Sequence, residues 1–135
     1  MDDCVFCKVI AGKIPAMKVY ENDKIFAFLD IAPINPGHTL VVPRAHHTDL
    51  LETPDDVLSD MITRTKKIAA AIVKAVKADG FNLGVNTKPA AGQAVFHTHL
   101  HIIPRFANDG LKHWQHKKLA PEEMQKVQAA IKANL

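Results

Sequence analysis

No stretch of this 135-residue chain runs to 18 apolar residues, and the acidic start, Met1-Asp2-Asp3, leads into no apolar segment of signal-peptide length. A membrane-spanning helix is thereby excluded, and a cytoplasmic protein that meets no membrane is the expectation. Charge of one sign is also scarce. Seventeen Lys and Arg against 14 Asp and Glu leave +3, and no basic run exceeds the pairs Lys66-Lys67 and Lys117-Lys118. Such a balance carries no nucleic-acid footprint, although it would welcome small anions. Cysteine is nearly missing: Cys4 and Cys7 are the only two. They cannot frame a disulfide-stapled fold, and their C-x-x-C spacing suits a metal clip or a redox pair in a reducing compartment. With no internal repeat, low-complexity tract or shift in composition, a single domain over residues 1–135 is expected.

The elements that remain read as α+β. Val5 to Ala11 predicts a short helix stopped by Gly12. Lys18 to Glu21 and Lys24 to Leu29 predict two strands joined by a tight turn at Asn22-Asp23. The loop Asp30 to Gly37 carries Pro33 and Pro36 and precedes a third strand, His38 to Val42, ending at Pro43. A long helix opens with Thr53 as N-cap and Pro54 at its first position. It presents Leu58, Met61, Ile62, Ile68, Ile72 and Val76 on one side and closes at Gly80. Its basic face reads as solvated surface. Phe81 to Asn86 predicts a strand, Ala94 to Ile103 another, and Pro121 starts a last helix with Met124, Val127, Ile131 and Leu135 in step. The expected architecture is a meander-like antiparallel sheet with the long helix and the C-terminal helix packed on one side of it.

Against this plain scaffold stands His97-Thr98-His99-Leu100-His101-Ile102-Ile103. Alternation along an extended strand puts His97, His99 and His101 on one face and Thr98, Leu100 and Ile102 on the other. All three imidazoles cannot share one ion, because His97 and His101 lie about 13 Å apart at a strand's rise while zinc holds nitrogens at about 2.0 to 2.1 Å. A central nucleophile or base flanked by orienting, anion-binding imidazoles fits the spacing better.

The run resembles the motif of the histidine-triad superfamily of nucleotidyl hydrolases and transferases. Asn35-Pro36-Gly37-His38-Thr39-Leu40-Val41-Val42-Pro43-Arg44-Ala45-His46 resembles the same family's upstream segment, and Gly92-Gln93 stands at the expected distance before the triad. The likeness covers Cys4 to about Phe106, leaving 107–135 as a C-terminal extension. Asn86 points to the Hint-like and bacterial branch rather than the diadenosine-polyphosphate hydrolases, and His101 argues against transfer to a sugar phosphate.

The resemblance implies that His99 attacks the α-phosphorus of a purine nucleoside phosphoramidate or adenylated compound, giving a nucleotidyl-histidine that water hydrolyses. It implies that a carbonyl, here that of His97, holds the far nitrogen of His99. His101 and His38 would stabilise the phosphoryl oxygens and orient the nucleophile; the backbone around Gln93, Ala94 and Val95 would add to the cradle, with Gly92 allowing close approach. Asp30 would bind the ribose and Phe28 and Ile31 the base, with Asn86 nearby. Asp30 also suits a turn before Pro33, and Phe28 and Ile31 an ordinary core. Ala94 stands where a Ser or Thr is usual, removing a proton donor, and Thr98 replaces a usually apolar residue.

Some bacterial relatives join the two cysteines to a His of the Pro-x-x-His segment and the first triad His, which here implies a structural zinc on Cys4, Cys7, His46 and His97, with His47 adjacent. No organic cofactor is implied. A two-fold homodimer is, with Trp114 as an anchor; His113 and His116 read as surface residues. A nucleotide-binding sensor with vestigial activity, a diadenosine-polyphosphate hydrolase and a zinc-organised interaction module are the rival functions.

Overall fold

A computed structural model describes residues 3–135; Met1 and Asp2 of the acidic start lie outside it. Five strands, β1 (Lys18–Glu21), β2 (Ile25–Leu29), β3 (Thr39–Pro43), β4 (Gly80–Gly84) and β5 (Leu100–Arg105), form one antiparallel sheet in the order β1-β2-β3-β5-β4. Three helices accompany it: α1 (Val5–Ile10), α2 (Asp55–Val76) and α3 (Pro121–Ala133). The fold is α+β, as the element pattern predicts.

The helices do not share one side of the sheet. Ile25 and Ala27 of β2, Val41 of β3 and Leu100 and Ile102 of β5 pack against Met61, Ile68, Ala69 and Ile72 of α2. The alternate residues Phe26, Phe28, Leu40 and Val42 pack against Phe6 and Val9 of α1 on the opposite face. Burial on both faces explains why β2 and β3 are continuously apolar rather than alternating. The C-terminal helix departs from expectation: α3 buries no residue, and Met124, Val127 and Ile131 are about half exposed. Its periodicity is real, but its apolar stripe is left uncovered among the described residues.

Three boundaries differ for local reasons. Thr53 does not cap α2. Its hydroxyl donates to the Asp49 carbonyl at 2.8 Å and pairs with Thr98 Oγ1 at 2.7 Å, so Pro54 forms the helix boundary. Gly80 does not end α2 either; Lys77 takes the left-handed cap at φ 56, and Gly80 opens β4. The histidine run is extended, yet β5 begins only at Leu100. The Thr98 N–H donates to the His47 carbonyl at 2.8 Å instead of a neighbouring strand. The strand then continues through Pro104, beyond the last β3 pair at Thr39 and Ile102, where the missing N–H has no β3 partner to disappoint.

Gly37 is fixed by two demands at once. Its φ is +90°, and a Cβ there would sit 3.1 Å from side-chain carbons of Ile72 and Val76. The turn before His38 therefore presses directly onto α2.

Candidate active site

The alternation expected of the histidine run holds, although its first three residues precede the regular strand. Thr98, Leu100 and Ile102 face α2, while His97 and His99 meet α1 through Phe6, whose ring packs edge-on against both at 5.9 and 5.1 Å. All of residues 97–99 are buried. Phe6 carried no signal in the sequence beyond being an apolar residue of a short helix; only the packing of α1 shows that it braces two imidazoles.

A backbone carbonyl can only accept, so a ring nitrogen bonded to one carries a proton. His99 Nδ1 donates to the His97 carbonyl at 2.7 Å, which leaves the Nε2 lone pair of the neutral ring free. His97 Nε2 donates to the Pro43 carbonyl at 2.8 Å, leaving its Nδ1 lone pair. Ile34 fixes the remaining pair of rings. Its N–H donates to His38 Nδ1 at 3.0 Å, so neutral His38 holds its proton on Nε2. That nitrogen lies 2.9 Å from His101 Nδ1 and donates to it, so His101 carries its proton on Nε2. His38 thus has both ring nitrogens occupied. Contrary to the expectation that it contacts phosphoryl oxygens, it is placed to fix the tautomer of His101.

Burial disfavours charge on all four rings. It lowers His38 and His99, and with the neighbouring histidines it pushes His101 down to about 4; burial likewise takes His97 to about 4. The folded state therefore binds fewer protons than the unfolded chain, whose histidines titrate near 6.5. Stability from keeping His38 and His101 neutral is complete above about pH 6.5 and is lost as pH falls toward 4. The urea midpoint is expected to drop between pH 7 and 5, with a shallower drop in His101→Asn.

Asp30 takes the turn role that its place before Pro33 suggests. Oδ1 accepts the Ala32 N–H at 2.8 Å, closing a turn, while Oδ2 stays on the site side, 3.6 Å from His38 Nε2. Phe28 is buried against Phe6, at 5.5 Å between ring centres, whereas Ile31 is 95 % exposed and contributes nothing to the core. The loop before the triad is tightly specified. Gly92 has φ +92°, and a Cβ there would meet only Asn86 Nδ2 at 3.5 Å, so the conformation rather than crowding demands glycine. Gln93 differs from expectation: its N–H bonds the Lys88 carbonyl at 3.2 Å and cannot join an anion cradle. Ala94 and Val95 keep N–H groups without a partner among the described residues.

A second cluster abuts the first. Cys7 Sγ lies 3.4 Å from His46 Nδ1 and 3.6 Å from His97 Nδ1, and Cys4 Sγ lies 3.5 Å from His97 Nδ1. All four donor atoms fall within 4.8 Å of one another. A sulfur and a nitrogen on one tetrahedral zinc-sized ion stand about 3.5 Å apart, so the donors fit such a group. The Pro43 carbonyl already turns the unprotonated nitrogen of His97 toward the thiols. His46, not His47, supplies the fourth donor; His47 contributes its carbonyl to Thr98.

Trp114 is 91 % exposed, and no helix of the described residues is long and apolar enough to cross a membrane. A family model described as HIT domain matches residues 11–108. An adenylylsulfatase of Arabidopsis thaliana is 49% identical over 110 residues, 82% of this chain but only 56% of that protein. A crystal structure of a HIT-family protein from Bacillus subtilis superposes with a TM-score of 0.90 at 39% identity, covering 98% of this chain and 97% of that one. A zinc-bound histidine triad family protein from Mycobacterium smegmatis gives 0.79 at 35%, covering 96% and 98%.

Proposed function

The chain belongs to the HIT family, whose members are in general nucleotide-binding hydrolases or transferases, and from that premise we propose that it hydrolyses adenylylated compounds through a nucleotidyl-histidine. The carrying observation is the hydrogen bond from His99 Nδ1 to the His97 carbonyl, which aims a neutral lone pair out of the ring. In the first step a bond forms from His99 Nε2 to the α-phosphorus, and the bond to the leaving group breaks with its electron pair going to that group. Water then attacks phosphorus, the N–P bond breaks, and AMP departs. The His101 Nε2–H and the amides of Ala94 and Val95 serve the phosphoryl oxygens, where one preorganised donor contributes about 3 to 4 kcal/mol. Asp30 Oδ2 is the group offered to the ribose, and Phe28 and Ile31 flank the base, with Asn86 and Gly92 on the far side.

The site favours leaving groups that depart as anions. His101 is neutral at physiological pH and accepts a hydrogen bond from His38 at Nδ1, so giving up its own Nε2 proton would leave an unfavourable imidazolate. Ala94 supplies no hydroxyl. An acid anhydride such as adenylyl sulfate needs no proton on departure, whereas an amine from a phosphoramidate does. The Arabidopsis relative's name, adenylylsulfatase, agrees with this preference. The test is AMP release from adenylyl sulfate and from an adenosine phosphoramidate. Faster turnover of the anhydride is expected; Ala94→Ser should raise amidate turnover about tenfold and leave the anhydride nearly unchanged. AMP binding without turnover of either compound would favour the sensor reading instead.

Zinc on Cys4, Cys7, His46 and His97 completes this proposal as a structural group, tying α1 and the segment after β3 to His97, two residues before the nucleophile. Two thiols so employed suit the reducing cytoplasm. A homodimer is supported by the apolar surface left bare: Phe81 and Leu83 on the edge strand β4, Trp114, and the stripe of α3.

A further inference from the structure

Residue 88 is a lysine where the backbone suits glycine. Lys88 has φ 74 and ψ 157, a region that residues with a Cβ avoid. The conformation is held from three directions. Its N–H donates to Gln93 Oε1 at 2.8 Å, and its carbonyl accepts from Ala91 and Gln93. Its ammonium forms an ion pair with Asp49 Oδ2 at 2.6 Å. Asp49 is itself buried and uses its other oxygen to accept the N–H groups of Leu51 and Glu52. The Gln93 amide then donates to the carbonyls of Thr48 and Val95 at 2.8 and 3.2 Å.

These contacts join the loop of residues 87–95 to the segment 47–53. That segment is also bound to the back of the histidine run, through Thr53 to Thr98 and through the His47 carbonyl to the Thr98 N–H. The hydroxyl of Thr98, unusual behind the triad, thus finds its use here. A glycine at 88 would satisfy the backbone but would leave the Asp49 carboxylate without its cation. Retaining lysine in a strained conformation points to the side chain.

We infer that Lys88 is a positioning residue: its pair with Asp49 locks the 87–95 loop onto the 47–53 segment, so that the free amides of Ala94 and Val95 face the substrate's phosphate. The inference rests on the nucleotide reading given above. Lys88 does not itself bind phosphate, since its charge is directed to Asp49.

Isothermal titration of AMP and of adenosine separates the phosphate from the rest of the ligand. Lys88→Gly and Lys88→Met should each weaken AMP about tenfold while adenosine affinity stays constant, and Lys88→Arg should restore AMP binding. In Lys88→Gly relief of strain offsets part of the cost of leaving Asp49 without its cation, and unchanged adenosine affinity shows that the lost AMP affinity does not come from a damaged fold. Asp49→Asn keeps the lysine charge but removes its partner; it should weaken AMP as the Lys88 variants do. Unchanged AMP affinity in both Lys88→Gly and Lys88→Met, or AMP and adenosine weakened together, overturns the proposal. So does an Asp49→Asn variant that binds AMP as tightly as the parent, which would mark a simple attraction through space. A parent that binds neither compound removes the nucleotide reading itself, and this proposal with it.

Discussion

His99→Asn is expected to lower AMP release from adenylyl sulfate about ten-thousandfold while leaving AMP affinity within a few-fold of the parent. The asymmetry follows from the geometry. The imidazole contributes one lone pair at Nε2, presented because Nδ1 is fixed by the His97 carbonyl at 2.7 Å. Asparagine can keep a polar group near that carbonyl but offers no nucleophilic nitrogen, because its amide lone pair is delocalised. The groups proposed to hold AMP, namely the His101 Nε2–H, the amides of Ala94 and Val95 and the Asp30 carboxylate, are untouched. Intact-mass measurement on the quenched parent should show a chain heavier by one adenylyl group, with the adduct mapping to His99 and absent from the variant. Turnover surviving the substitution would mean that water attacks phosphorus directly, and the covalent route would be discarded. The variant should also keep its metal content, since His99 is not among the four clustered donors.

The parts legible in the sequence are those governed by local periodicity. Alternation sorted His97 and His99 from Thr98 and Leu100 even though the regular strand starts only at Leu100. The spacing of Met61, Ile68 and Ile72 gave the buried side of α2. What escaped was decided by partners distant in sequence. Thr53 looked like a helix cap because Pro54 and two acids follow it, but its hydroxyl donates to the Asp49 carbonyl and pairs with the hydroxyl of Thr98, 45 residues away. His38 looked like a phosphate ligand until the Ile34 N–H and His101 were found to occupy both its nitrogens. Lys88 gave no signal at all, because neither its φ nor the burial of Asp49 is written in the residues around it. The stripe on α3 was read correctly as apolar, yet it is left uncovered among the described residues.

Stripping zinc from the proposed four-donor site should cost the fold about as much as truncating a large core side chain. The four donors come from the start of α1, the segment after β3 and the histidine run, so a zinc there would close three separated parts of the chain at once. A ligand bound only by the folded state adds about 4 kcal/mol at a thousandfold excess over its Kd, which for a chain of this size shifts the melting temperature by roughly 10 °C. Purified protein is expected to carry one zinc per chain by elemental analysis. Cys7→Ser should lose it and melt lower by about that amount, and a strong chelator should bring the parent to the same point. Burial and the adjacent Cys4 push the Cys7 thiol up, so binding must expel a proton and zinc affinity should weaken as the pH falls. Turnover should decline in the same variant, because the His97 ring would lose one of its two tethers while its carbonyl still has to hold His99. A chain that is metal-free as purified, and whose melting neither zinc nor chelator moves, would refute the structural zinc while leaving the His99 nucleophile standing.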